Sequence, residues 1–290
     1  MCSGLGQNMG TANIRLLKEK AWLLRRHVVR MVGIGRTGHI GGSCSSAELM
    51  AALYFHTLHL NPSEPKASSR DRFVLSKGHA ALIQYAALAE CGFFPLEELD
   101  RVKTLGSMLQ GHPDCRRTPG IEANTGSLGQ GLSIANGMAL AGKLNGGTHK
   151  VWVLLGDGEL NEGQVWEAAM FAAHRKLDNI VAIVDRNGLQ AMGSTAQRLN
   201  TDPLAAKWTA FGWCVAEIDG HDIVQIVSAL ETARAHKGSP AVVIARTVKG
   251  KGLPFAENNF AFHNGMMSSE QFHAALAEIE QAIAEIRRED

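Results

Sequence analysis

The sequence lacks an excess of charge of either sign, a long apolar run, and any cysteine pattern that would bind a metal. Its 290 residues carry a formal net charge of +1, so there is no electrostatic case for nucleic acid or an anionic membrane as a partner. No apolar run approaches the ~18 residues of a membrane-spanning helix, and residues 1–10 do not resemble a signal peptide. The five cysteines are scattered and never form CxxC, which favours reduced thiols over a zinc site or a disulfide framework. We therefore expect a cytoplasmic protein with neither nucleic acid nor membrane as a partner.

The pattern of apolar residues predicts a single α/β domain over residues 1–290, with no separate second domain. Hydrophobic residues make up 45% and charged residues 20% of the chain, as in ordinary soluble globular proteins. Short continuous apolar runs are typical of strands buried on both faces of a parallel sheet, and here they alternate with helical patterns. This alternation predicts three layers, with a mostly parallel central sheet and helices on both faces. The predicted strands are 72–75, 151–155, 180–184, 213–218 and 241–245, and the predicted helices are 12–32, 46–58, 79–90, 95–105, 128–144, 161–177, 222–235 and 268–288.

Two polar residues follow neighbouring predicted strands. Asp157 comes just after one strand, within Gly156-Asp157-Gly158, and Asn187 follows the next. Both are expected at the carboxyl ends of adjacent parallel strands, where open α/β sheets bind ligands. A carboxylate, an amide oxygen and a loop carbonyl suit Mg²⁺, and Gly158 would let a phosphate approach the backbone N–H groups at the helix start. Asp-Gly and Asn-Gly are common turn pairs on their own, so it is their pairing that favours a site.

The stretch from Gly33 to Gly38 matches GxGxxG, the pattern of dinucleotide-binding loops. Such a loop needs a strand before it and a helix that opens at it, whereas a helical pattern precedes Gly33. We therefore predict a glycine loop that carries His39, and not a nicotinamide site.

Four histidines share an unusual context. His39, His79, His112 and His263 lie in predicted loops or at a helix start, each near glycine, proline or asparagine. A single loop histidine is usually a surface residue, but four on glycine-bearing loops indicate function, because loops on a rigid scaffold often carry it. The glycine-rich segment 122–131 also leads into a helix, and exposed backbone donors or simple tight packing explain it equally well.

Together these features resemble the transketolase family, specifically the N-terminal half that binds the diphosphate end of thiamine diphosphate. The resemblance covers nearly the whole chain and rests on residues 71–79, 125–131, 156–158 with Asn187, and 245–252. The Gly-Asp-Gly to Asn spacing is shared by thiamine diphosphate enzymes in general, whereas the other stretches are similar to transketolases in particular. The resemblance implies a thiamine-diphosphate-binding fold. It also implies transfer of a two-carbon ketol unit from a ketose phosphate to an aldose or aldose phosphate, as in pentose phosphate metabolism.

The resemblance also implies how the cofactor is bound. Asp157, Asn187 and the backbone carbonyl of Leu189 would bind Mg²⁺, or another divalent cation such as Ca²⁺ or Mn²⁺. Gly158 and His79 would lie near the diphosphate.

Further residues receive roles from the same resemblance. Gly126 and Leu128 would hold the aminopyrimidine ring. Glu162 and Glu167 are ordinary helix-start acids when taken singly, but they would belong to an acidic network that joins two active sites.

The histidines would serve the sugar. His39, His112 and His263 would line the substrate channel beside His79, contact ketose hydroxyls and transfer protons with pKa values near neutrality. The reaction chemistry itself would come from the cofactor.

The resemblance also implies a partner. In this family the glutamate that activates the cofactor comes from a second domain later in the same chain, and the sequence ends at Asp290 without one. We therefore expect one subunit of a split transketolase. It would be inactive until a separate C-terminal, pyrimidine-binding subunit joins it in a heterotetramer.

Two alternatives stay open at this point. One is the α-type subunit of a 2-oxo acid dehydrogenase, against which the Ser-Lys-Gly-His and Thr-Val-Lys-Gly-Lys-Gly stretches argue. The other is a non-catalytic paralogue that acts as a binding partner.

Overall fold

A computed structural model describes residues 12–288, and its centre is a sheet of five parallel strands. These are β1 (Arg72–Leu75), β2 (Val151–Gly156), β3 (Ile180–Arg186), β4 (Cys214–Asp219) and β5 (Ala241–Arg246), in the order β1-β2-β3-β5-β4. The three central strands are rich in valine and isoleucine and buried at nearly every position, as parallel strands covered on both faces should be. The predicted α/β class and parallel sheet are confirmed. The ends of the predicted domain, residues 1–11 and 289–290, lie outside the described residues.

Helices cover both faces of the sheet, because consecutive strand residues point to opposite sides. Trp152 and Ile183 pack into one core, with the helices at 14–32, 47–52, 81–90 and 223–235. Val153 and Ala182 pack into the other core, with the helices at 131–144, 163–174 and 204–210. The predicted three layers are therefore present. No helix within residues 12–288 is long and apolar enough to cross a membrane. The α-helices are α1 (Ile14–Val32), α2 (Ile40–Cys44), α3 (Ala47–Ala52), α4 (Ala81–Glu90), α5 (Gly131–Leu144), α6 (Gly163–His174), α7 (Thr195–Arg198), α8 (Leu204–Ala210), α9 (Ile223–Ala235) and α10 (Ser269–Arg288).

The helix predicted over 95–105 is wrong beyond its first turns. Only the 3₁₀ helix Leu96–Arg101 forms, because Val102 is extended and Lys103 adopts a left-handed φ of 60°. The chain turns back there, so that the Lys103 N–H donates to the Leu109 carbonyl over 2.8 Å.

Two other predicted helices adjoin helical segments of another type. The segment predicted over 46–58 begins as α3 and continues as the π-helix Leu53–Thr57. The crossover helix, predicted over 161–177, forms as α6 and is preceded by a 3₁₀ turn, Gly158–Asn161. This turn matters for the site, because it places the Gly158 N–H directly at the carboxyl end of β2.

A short antiparallel ladder joins two distant loops, since Thr37–Gly38 pairs with Gly265–Met266. His39 follows the first strand of the ladder and His263 precedes the second, so the ladder brings both histidines to one place. The glycine loop before it follows α1 and not a strand, which agrees with the exclusion of a dinucleotide loop.

Candidate functional site

Asp157 lies at the carboxyl end of β2 with both carboxylate oxygens engaged. Its Oδ1 accepts from Gly158 N over 2.8 Å and its Oδ2 accepts from Gly188 N over 2.5 Å. The residue is only 4% exposed. Burial, together with the nearby charge of Asp185, raises the pKa of Asp157 to about 6. Such a crowded carboxylate is well suited to a cation, which would offset both effects.

Asn187 and Leu189 lie beside Asp157, as expected from the sheet. Gly156 is in register with Asp185, so the chain that follows each strand emerges at the same edge. Asn187 Nδ2 donates to Asp185 Oδ2 over 3.1 Å, and its Oδ1 accepts from Leu189 N over 3.1 Å. The Leu189 carbonyl accepts from Lys249 Nζ over 3.0 Å. The residues that bear these carboxylate, amide and carbonyl oxygens therefore line one crevice.

Asn187 contacts a buried carboxylate, that of Asp185, which no sequence motif singled out. Asp185 is fully buried and accepts from Lys77 Nζ over 2.5 Å, from Ser45 Oγ over 2.7 Å and from Thr247 Oγ1. Burial alone would raise the pKa of Asp185, but Lys77 and these hydrogen bonds hold it below its usual value. The recognised motif stretches contained Lys77 and Thr247, but nothing in the sequence showed that they would meet at Asp185.

The four predicted histidines lie close to one another, and two of them, His79 and His263, line the same crevice as Asp157. The His39 ring centre lies 5.3 Å from that of His79, 5.5 Å from that of His263 and 6.2 Å from that of His112, and His79 and His263 are 4.9 Å apart. They come from four separate loops, so their grouping is a product of the fold. The predicted clustering is present.

The protonation of these histidines differs from the near-neutral pKa expected from the sequence. Burial, with Lys103 as the next cause, lowers the pKa of His39 to about 4, and burial with Lys249 does the same for His263. Burial and Lys77 lower the pKa of His79 to about 2, and burial also lowers that of His112. All four rings are therefore neutral at pH 7, because burial disfavours the charged form and, as a smaller cause, neighbouring lysines repel a further positive charge.

Glycines allow the loops of the site to touch. Gly126 has a φ of 138°, and a Cβ there would lie 2.7 Å from His112 Cδ2. A Cβ on Gly78 would lie 2.5 Å from Gly126 N, and one on Gly158 would lie 2.8 Å from Gln190 Cγ. The segment predicted only as glycine-rich thus has a packing role against a site histidine.

Glu159 joins three loops of the site, although no sequence motif marked it. Its buried carboxylate accepts from Ser76 Oγ over 2.5 Å, from Gly129 N over 2.9 Å and from Gly156 N over 3.0 Å. The loop after β1, the loop after β2 and the glycine loop of 125–131 are thereby fixed to one another.

The two predicted acidic residues of the following helix are placed differently. Glu162 is exposed at the start of α6 and packs against the glycine loop, where a Cβ on Gly129 would lie 2.7 Å from the Glu162 Cβ. Glu167 is exposed one turn further along the helix. Their role in an acidic network between active sites stays a prediction.

The donor set fits a divalent cation and a phosphate-bearing ligand. The crevice has a cavity volume of about 180 Å³, smaller than the ~300–1,000 Å³ of most small-molecule sites. One buried polar atom of its lining residues, His263 Nδ1, has no hydrogen-bond partner within residues 12–288. Within that range no three His, Cys, Asp or Glu side chains cluster in a way that could hold a metal. A cation here would use the mixed oxygen set, which suits Mg²⁺ rather than a thiolate- or imidazole-binding metal. The crevice is lined by Gly42, Lys77, His79, Leu128, Gly156, Asp157, Gly158, Glu159, Asn187, Leu189, Gln190, Ala191, Lys249 and His263.

Comparison with known proteins gives a consistent picture. A family model described as "Transketolase, thiamine diphosphate binding domain" matches residues 18–279. The 6-deoxy-6-sulfo-D-fructose transketolase subunit SqwG of Clostridium sp. (strain MSTE9) is 46% identical over 265 residues, which cover 91% of this chain and 96% of the relative. An apulose-4-phosphate transketolase subunit from Phocaeicola vulgatus is 40% identical over 282 residues, with coverage of 97% and 99%.

Solved structures agree with these relatives in fold. The chain superposes on transketolase from Campylobacter jejuni with a TM-score of 0.84 and 31% identity, over 95% of this chain but only 48% of that one. The chain therefore spans nearly the whole of the two relatives named as subunits and about half of a full-length transketolase.

Proposed function

Because the chain belongs to the transketolase family, we propose that it is the subunit that binds thiamine diphosphate through Mg²⁺ in a split transketolase. The observation that carries the proposal is that Asp157, Asn187 and Leu189 line one crevice with His79 and His263, whose rings cluster with those of His39 and His112. Either set alone would be a turn or a buried polar cluster. Together they provide a cation site and a set of proton donors and acceptors within one pocket.

The cofactor assignment rests on the chemistry of the donors. Asp157, Asn187 and the Leu189 carbonyl would hold Mg²⁺, or Ca²⁺ or Mn²⁺ in its place, since all three ligands are oxygens. Gly158, which has no side chain to block the start of its 3₁₀ turn, would meet the diphosphate. Gly126 and Leu128 would contact the aminopyrimidine ring. When bound, thiamine diphosphate supplies a carbon nucleophile and accepts the electrons of the carbon–carbon bond that breaks.

The chain's own contribution is to orient the sugar and move protons. His39, His112 and His263 are neutral at pH 7, so each ring carries one N–H donor and one acceptor nitrogen. They can donate hydrogen bonds to ketose hydroxyls and to the carbonyl oxygen, and they can accept a proton from a hydroxyl. Burial is the main cause of their neutrality, and the lysines that add to it also favour anionic groups near the crevice. Neutral rings of this kind would act as proton donors and acceptors in turnover.

We propose that the partner is a separate C-terminal subunit and that the working form is a heterotetramer. Both relatives of this length are named as transketolase subunits, and full-length transketolases are about twice as long. Three exposed apolar side chains lie in the segments that carry His39 and His263: Ile34, which bridges to Met267, Met266 in the ladder, and Phe260 in the 3₁₀ helix Phe260–His263. Such exposed apolar residues are the kind of surface that an interface between subunits covers.

For the substrate, we propose a ketose that carries an anionic group at its far end, with an aldose or aldose phosphate as acceptor. The named relatives act on a sulfo-sugar and on a sugar phosphate. These sugars differ, so the donor of this chain is to be found by screening. A pentose phosphate pair is the first to test. Of the two alternatives, the family match favours a transketolase over an oxo acid dehydrogenase. A cytoplasmic location is part of the same proposal.

The test is reconstitution. We expect that the chain, its co-purified partner, Mg²⁺ and thiamine diphosphate transfer a ketol unit to an aldose acceptor. An assay of pyruvate decarboxylation alongside identifies the oxo acid dehydrogenase alternative. A complex that binds the cofactor but has no activity toward any ketose would support the non-catalytic paralogue.

A further inference from the structure

The turn Thr247–Gly252 brings Lys249 into the crevice and is held from behind by three side chains outside the site. Lys249 is 2% exposed, and its ammonium donates to the Leu189 carbonyl over 3.0 Å. Two glycines in the turn, Gly250 and Gly252, have φ values of 78° and 85°. A turn with two such glycines has little conformational preference of its own, so its shape must be imposed by contacts.

One contact comes from His221, in the loop between β4 and α9. Its Nε2 accepts a hydrogen bond from Val248 N over 2.8 Å, and its Nδ1 lies 3.0 Å from Glu48 Oε2. Because Nε2 accepts, it carries no proton in the neutral ring, so Nδ1 carries the proton and donates it to Glu48. The two hydrogen bonds therefore fix both the tautomer and the orientation of the ring.

The second contact comes from Arg25, which the same Glu48 carboxylate orients. Arg25 of α1 is fully buried, donates from Nη2 to Glu48 Oε2 over 2.7 Å, and donates from Nε to the Lys251 carbonyl over 2.8 Å. Glu48 of α3 thus orients two side chains, each of which holds one backbone group of the turn. These groups, Val248 N and Lys251 O, lie on either side of Lys249.

We propose that His221, oriented by Glu48, is a positioning residue that fixes the Thr247–Gly252 turn so that the Lys249 ammonium faces the cofactor's diphosphate end. The inference rests on the proposed function, since it assigns a purpose to a network that touches neither cofactor nor sugar. If the network served stability alone, loss of His221 would weaken cofactor binding by the same factor whether or not Lys249 is present. The two cases therefore differ in whether the effects of His221 and Lys249 on binding are coupled.

The experiment is a double-mutant cycle on the full chain with its partner. Thiamine diphosphate affinity is measured at saturating Mg²⁺ by calorimetry for the wild type, His221→Leu, Lys249→Met and the double variant. We expect His221→Leu to weaken binding about tenfold in the wild-type background and less than twofold in the Lys249→Met background. Equal losses in both backgrounds would overturn the proposal.

Two further variants separate positioning from folding. His221→Gln can still accept from Val248 N through its side-chain oxygen, so we expect it to recover most of the affinity. His56→Leu removes a similar histidine–glutamate hydrogen bond, between His56 and Glu231 at 2.9 Å, and should leave affinity unchanged. If His56→Leu weakened binding as much as His221→Leu, the effect would be general destabilisation and the proposal would fall.

Hydrogen exchange gives a readout that needs no cofactor. We expect His221→Leu to raise amide exchange in residues 247–252 while the midpoint of thermal unfolding changes little. Unchanged exchange there would contradict the positioning role. If the wild-type complex did not bind thiamine diphosphate at all, the proposed function would fail, and the exchange result would still decide whether His221 holds the turn.

Discussion

Asn187 donates from Nδ2 to Asp185 Oδ2 over 3.1 Å, which turns its amide nitrogen toward the buried carboxylate and its oxygen toward the crevice. The same Asp185 binds Lys77. The orientation of one proposed metal ligand is thus set by a buried ion pair. Residues behind the proposed ligands therefore contribute to cation binding by orienting those ligands.

The first prediction concerns the proposed cation site. Asp157→Asn is expected to weaken Mg²⁺-dependent binding of thiamine diphosphate at least about a hundredfold, because it removes the one anionic ligand of the set. Calorimetric titration with the cofactor, with and without Mg²⁺, measures the change. Asp100→Asn, at an exposed position, is the matched control. Unchanged affinity in Asp157→Asn would refute the metal assignment.

The second prediction concerns the buried ion pair. Asp185→Asn leaves the Lys77 ammonium buried without its counter-charge, so we expect the free energy of unfolding to fall by about 3–5 kcal/mol. Urea denaturation at pH 7 provides the measurement. Glu98→Gln removes the exposed ion pair with Arg101 and should cost less than about 1 kcal/mol. Similar losses in the two variants would mean that Asp185 is no better paired than a surface carboxylate.

The third prediction concerns the histidines in turnover. His112→Ala and His263→Ala should lower kcat about 10²- to 10⁴-fold, the usual range for a lost proton donor or acceptor, and change cofactor affinity only a few fold. Steady-state kinetics of the reconstituted complex, with cofactor titrations of each variant, separate the two effects. His174→Ala, exposed on α6, should behave as the wild type. A loss confined to cofactor affinity would move these histidines out of the sugar channel.

The fourth prediction concerns pH and stability. Burial and Lys77 lower the pKa of His79 from 6.5 to about 2, so the folded protein keeps this ring neutral while the unfolded chain protonates it near pH 6.5. The resulting stability is fully present above pH 6.5 and is lost as pH falls from 6.5 toward 2. The free energy of unfolding should therefore decline less between pH 7.5 and pH 5.0 in His79→Gln than in the wild type. An equal decline in both would show that His79 titrates alike in the two states.

The fifth prediction concerns a cation beside the cluster. Lys103 contributes to the low pKa of His39, after burial. Lys103→Met should therefore raise the pKa of His39 from about 4 toward its ordinary value, and a histidine NMR titration would follow it. An unchanged pKa of His39 would show that Lys103 does not contribute and that burial, with His112 and Lys249, accounts for the low value.

The sequence was sufficient for the fold because its signals were local. The apolar runs that became β2, β3 and β5 are short, continuous and separated by helical patterns, and their bounds differ from those observed by only one or two residues. The helix predicted over 95–105 was wrong in its second half because Lys103 adopts a left-handed conformation there. The residues have a helical composition, and no residue pattern indicates this turn.

The site was predictable where motifs mark it and not where tertiary contacts build it. Asp157, Asn187 and the four histidines stand in recognisable loops. Asp185 and Glu159 do not, because their roles come from Lys77, Ser76 and Gly129, which lie far away along the chain. The low histidine pKa values were missed for the same reason, since burial and neighbouring lysines exist only in the folded chain.

The most direct test of the account compares the purified chain with the chain mixed with its partner subunit, both with Mg²⁺ and thiamine diphosphate. Ketol transfer from a ketose donor to an aldose acceptor is measured in each. We predict no transfer by the chain alone and transfer by the mixture, with Asp157→Asn inactive in both. Transfer by the chain alone, or none by a mixture that forms the complex and binds the cofactor, would contradict the assignment as one subunit of a split transketolase.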